Sequence, residues 1–146
     1  MSLDQRWVLR DPAEMYRTFP WFHGEGFDLL IDDLHALPRD RITLVEGFRL
    51  LPDLVRPLLC APRAAVWLIP TPTFRQAAFT TRERSKGFWL RTSDPQRALD
   101  NLLARDEIFT AKIASAARRD ELSTVAINEP RDALATALVI AEWFGL

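Results

Sequence analysis

Apolar residues recur at helical spacing along most of the chain. Phe27, Leu30, Ile31, Leu34 and Leu37 lie three and four apart, which predicts a helix within 23–37 that Pro38 closes. Leu99, Leu102, Leu103, Phe109, Ile113 and Ala117 form a longer stripe, predicting a helix from about 93 to 119. Its start reads as a capping box, Ser93 with Gln96, with Pro95 in the first turn. Asp11-Pro12-Ala13-Glu14 opens a short helix that Pro20 ends, and Thr71-Pro72 opens another that runs to about Arg82. Helices are also expected over 50–59 and 132–144.

Between the helices the period changes. Arg41-Ile42-Thr43-Leu44-Val45, Ala64 to Ile69 and Ser123 to Ile127 are short, apolar and rich in β-branched residues, which predicts three strands. Strands that alternate with helices point to an α/β domain, with a mainly parallel three-stranded sheet flanked by helices. Three strands make a thin sheet for 146 residues. No repeat or low-complexity stretch divides the chain, so residues 1–146 read as one domain.

Composition narrows the class. Apolar residues make up 48% and charged residues 27%, enough to build a core and too mixed for a disordered tail. Cys60 stands alone, which excludes an internal disulfide and, with only His23 and His35 beside it, argues against a structural zinc site. A net charge of −1 gives no sign of a nucleic-acid binder. No apolar run is long enough for a membrane span, and the start does not read as a secretory signal, so a cytoplasmic location is expected. Met1-Ser2-Leu3 reads either as an expression-vector scar or as the native start.

Candidate chemistry is sparse. Glu46-Gly47 follows the first predicted strand, where ligands of open α/β sheets sit; an acid there can hold magnesium or orient a hydroxyl, or can simply be a solvated turn. From Thr71 to Arg91, Arg75, Arg82, Arg84, Lys86 and Arg91 face one acid, Glu83. Such an excess suits phosphate and equally suits a solvated helix end. Trp89, in this basic stretch, either stacks on a base or folds back to pin the loop. Glu25 and Asp28 belong to an acidic run from Asp11 to Asp40, which reads as a solvated face or as hydroxyl-binding acids. No serine sits in a Gly-x-Ser-x-Gly turn.

The order of these signals resembles the C-terminal two-thirds of the P-loop nucleoside and nucleotide kinases. Leu44-Val45-Glu46-Gly47-Phe48 is similar to the apolar–acid–Gly–Phe strand end of adenylate-kinase-like enzymes. The segment 75–92 is similar to their arginine-rich lid. The resemblance implies ATP-dependent phosphotransfer to a nucleoside- or nucleotide-type acceptor, with ATP and magnesium as cofactors. Glu46 would orient the acceptor or the metal, and Arg82, Arg84 and Arg91 would neutralise the transferring phosphate. Glu25, Asp28 and Arg49 would touch the acceptor. Against this, none of the five glycines belongs to Gly-x-x-x-x-Gly-Lys-Ser/Thr, the turn that holds the donor phosphates. The expectation is therefore a truncated or decayed kinase-like chain, inactive alone. Its alternative is a non-catalytic nucleotide- or anion-binding module, or a self-associating one in which two copies, as a homodimer, fill the gap in the sheet.

Overall fold

The computed structural model describes residues 1–82, 87–128 and 133–145, without the side chains of Pro62, Arg82 and Ala133. Its helices are α1 (Leu3–Trp7), α2 (Pro12–Arg17), α3 (Phe27–His35), α4 (Pro52–Val55), α5 (Pro72–Arg82), α6 (Pro95–Arg119) and α7 (Ala133–Phe144). Its strands are β1 (Trp67–Pro70) and β2 (Thr124–Ile127), and short 3-10 turns lie at 20–23, 56–58, 62–64 and 88–91.

Local chemistry explains the helix starts. Asp11 accepts from the Ala13 and Glu14 amides, and Pro12 opens α2. Thr71 Oγ1 accepts from the Phe74 amide ahead of α5. At α6 the cap is Asp94, which accepts from Arg97, while the Ser93 amide donates to Asp4 of α1. Helix α1 begins with a capping box between Ser2 and Gln5. Its last carbonyls, on Trp7 and Val8, accept from the Asn101 amide of α6.

Helix α6 is the spine. It packs against α1, α2, α4, α5, β1 and the turn at 88–91. Val8, Trp89, Ala98, Leu99 and Leu102 form one buried cluster around its first half. Trp89 is only 5% exposed, so this ring pins the end of the basic segment to the core. Further along, Phe109 stacks on Phe22 at 4.1 Å between ring centres, with Phe48 edge-on to both. Arg75 is buried between α5 and α6, where it donates to Thr110. Burial lowers its pKa, and the charges of Asp106 and Glu107 oppose that shift.

Helix α6 ends in a Schellman turn. The Leu122 amide donates to the Ala117 carbonyl at 2.8 Å and the Glu121 amide to Arg118 at 3.3 Å. Glu121 occupies the left-handed position, with φ 53°, where glycine is usual. An ion cluster ties the same end to α4: Arg119 bridges Asp53 and Asp120, and Arg56 lies 3.8 Å from Asp120.

The three-stranded sheet expected from the sequence does not form. The protein is mostly helical, and its sheet has two parallel strands, with Trp67 opposite Thr124 and Pro70 opposite Ile127. Residues 41–45 have strand composition but take no strand, because a strand needs a neighbour and none lies alongside. The backbone groups of residues 42–46 find no hydrogen-bond partner among the described residues. β1 also starts later than expected, since Pro62 begins a 3-10 turn over 62–64. Trp67 of β1 and Thr71 just after it donate to the Ser123 and Ile127 carbonyls, each at 3.0 Å, so the nitrogen of Pro70, one residue out of step, faces away from β2 where no donor is needed.

Candidate functional site

The residues that the sequence singled out are split between separate regions. Glu46 is exposed and forms no ion pair or hydrogen bond among the described residues. Because no strand precedes it, it does not stand at a sheet's carboxyl edge. Arg49 lies over the Trp21 ring at 5.1 Å, and its Nη1 passes beside Gly26, 3.5 Å from where a Cβ would sit. Gly26 lies between Glu25 and Asp28 in sequence, so the chain brings these two exposed acids into Arg49's neighbourhood without pairing either with it. Arg91 closes the 88–91 turn and is exposed. Arg82 ends α5, its side chain lies outside the described residues, and so does Arg84.

The spine measures the separation. Trp89 anchors the Arg91 turn against Leu99 and Leu102, while Phe48 anchors the Glu46 turn against Phe109. At 1.5 Å per residue those anchor points stand about 10–15 Å apart along α6. Among the described residues, Glu46 and Arg91 form no ion pair or hydrogen bond with each other.

What the fold does concentrate is uncovered apolar surface. Ile42 is 85% exposed and Leu44 72%, on the segment without a strand partner. On α7, Leu134 and Leu138 are 69% and 62% exposed. That helix is apolar on most sides, yet it rests mainly on the 62–64 turn, with the Arg63 guanidinium 5.9 Å from the Trp143 ring centre. Among the described residues, each strand of the sheet is paired on one side only. Helix α6 packs on β1 and leaves Thr124 and Ala126 of β2 exposed. There a groove of about 450 Å³ runs along the sheet face, lined by Ile69, Ala114, Leu122, Thr124 and Ala126, with Arg118 and Glu121 at its rim.

The total confirms the local picture. The chain exposes 10371 Å². A compact monomer of this mass exposes about 7,700 Å². The excess, about 2,700 Å², is surface that a compact chain of this mass would bury.

No protein-family model, curated protein or solved structure matches this chain. The likeness to P-loop kinases thus rests on the quoted motifs alone.

The sequence pattern pointed to polar candidates, whereas the uncovered surface is apolar. The alternation of Ile42 and Leu44 was visible as strand composition. Its exposure was not, because that depends on which strands pair elsewhere.

Proposed function

We propose that this chain is a non-catalytic, self-associating module that works as a homodimer. Each copy lays residues 42–46 along the free edge of β2 in the other copy, extending the two-stranded sheet by one strand. The observation that carries this reading is segment 42–46, which has no backbone hydrogen-bond partner among the described residues and exposes Ile42 and Leu44, in a chain whose two described strands each have one open edge. Unpaired rows of amides and carbonyls on a segment and on a strand edge are mutually complementary. Because one chain carries both, a two-fold pair can engage both copies' segments at once and closes as a dimer rather than an open filament. The groove along the sheet face, lined by Ile69, Leu122 and Ala126, offers apolar surface that would suit Ile42 and Leu44.

Phosphotransfer has weaker support. The donor-binding turn is missing from the sequence, and the described residues show no contact between Glu46 and Arg91.

Sedimentation velocity over a range of protein concentrations, combined with amide hydrogen exchange, tests the proposal. A dimer is expected, with the amides of residues 42–46 protected in step with the dimer fraction. A chain that stays monomeric at high micromolar concentration, or a dimer that leaves those amides exchanging freely, overturns it.

A further inference from the structure

A second cavity, of about 240 Å³, opens where α1 and α2 meet the middle of α6. Arg6, Trp7, Arg10, Thr18, Phe19 and Arg105 line it, and no acidic side chain does. Arg105 is the innermost cation, with its side chain 13% exposed. Its guanidinium lies 5.1 Å from the Trp7 ring, 5.4 Å from Phe19 and 5.2 Å from Phe22. Nε and Nη2 donate to Asp106 at 2.9 and 2.7 Å, and Nη1 has no partner among the described residues. Arg10 donates to Thr18 Oγ1 at 2.6 Å and stands 3.6 Å from Glu14. The Arg6 guanidinium is exposed and forms no ion pair or hydrogen bond among the described residues. Three cations thus face two carboxylates, and one cation is free.

We propose that this cavity binds a small organic anion, a phosphate or carboxylate group carried on a single flat apolar ring. The unengaged guanidinium of Arg6 offers a planar fork that matches either headgroup, and the unpartnered Nη1 of Arg105 adds a further donor. Trp7 and Phe19 offer apolar walls for the ring, which a bare inorganic ion would leave unused. The volume is below the roughly 300–1,000 Å³ of pockets for drug-sized ligands, so it admits one ring rather than a whole nucleotide. The low-dielectric wall around Arg105 strengthens its attraction for an anion relative to open solvent.

Calorimetric titration with phenyl phosphate, benzoate, inorganic phosphate and phenol tests this. Phenyl phosphate or benzoate is expected to saturate the protein at one site per chain, whichever is tighter naming the headgroup. Inorganic phosphate and phenol, each lacking half of the recognised chemistry, are expected to bind at least about tenfold more weakly. Arg6→Ala, at an exposed position that leaves the packing alone, is expected to weaken the aromatic anion by about tenfold or more, the loss of one charged hydrogen bond. An absence of saturation, equal binding of phenol, equal binding of inorganic phosphate, or an unchanged affinity in Arg6→Ala each overturns the proposal. Because the residues lining this cavity do not include residues 42–46, a monomeric protein can pass this test and a dimeric one can fail it.

Discussion

Replacing Ile42 and Leu44 together by serine isolates the contribution of the unpaired segment. In an extended chain, residues two apart point to one face, so both side chains enter the interface together. Full burial of such a side chain contributes about 2 kcal/mol. Scaled by their exposures of 85% and 72%, the two give about 3 kcal/mol per copy and about 6 kcal/mol for a symmetric pair. At about 1.4 kcal/mol per decade, the double variant should dimerise some four orders of magnitude more weakly. Its monomer should keep its fold, since neither side chain packs against anything that the substitution disturbs. Sedimentation equilibrium reads the dissociation constant, and circular dichroism reads the fold. Leu29→Ser, 69% exposed on α3, serves as a control that should leave the dimer intact. If the double variant associates as tightly as the parent, or if Leu29→Ser weakens the dimer as much, the assignment of the interface is wrong.

Three further outcomes follow from the described packing. Glu121→Gly relieves the left-handed strain at the end of α6, offset in part by unfolded-state entropy, and should stabilise the chain by about 0.5–1 kcal/mol in urea titration; a lower midpoint refutes the strain argument. At Gly87 an added Cβ would lie 2.4 Å from the Trp89 ring, so Gly87→Ala should cost about 1–3 kcal/mol and shift Trp89 out of its buried site, read by thermal melting and near-ultraviolet dichroism. The hydrogen bond from Arg119, aided by the charges of Arg119 and Arg56 and opposed by burial, holds the Asp120 carboxyl below its ordinary pKa. A depressed carboxylate contributes stability above its unfolded pKa, and that contribution fades as pH falls through the folded value. Asp120→Asn should therefore lower the melting temperature at neutral pH and flatten its decline on acidification; parallel curves for both proteins would count against the ion cluster.

Helix ends were legible because their causes are local. Asp11 with Pro12, Thr71 with Pro72 and Pro95 each act within one turn, and the structure places helices at all three. The cap of α6 moved by one residue, from Ser93 to Asp94, because Asp4 from a distant helix engages the Ser93 amide. Helix α1 is less legible although Ser2 and Gln5 spell a capping box, since the first residues read equally well as a scar. The sheet was less legible. Composition marks Arg41–Val45 as strand-like, but pairing depends on a neighbour supplied from elsewhere, and β1 takes β2 instead. Of the candidate site, only the proximity of Arg49 to Gly26, between Glu25 and Asp28, could be anticipated from the chosen residues. The Arg6, Arg10 and Arg105 cavity joins segments some ninety positions apart, and no spacing rule encodes that meeting.

The parallel pairing of β1 with β2 also sets an order of events during synthesis. A parallel pair needs its crossover in place, and here the crossover contains α5, the 88–91 turn and the whole of α6. Since β2 leaves the ribosome long after residues 42–46, the edge that would accept this segment does not yet exist in its own chain when the segment emerges. In the proposed dimer, a nascent chain on a polysome would therefore meet its docking strand first on an older, finished sibling, which would favour assembly between successive products of one message over a later encounter in dilute solution.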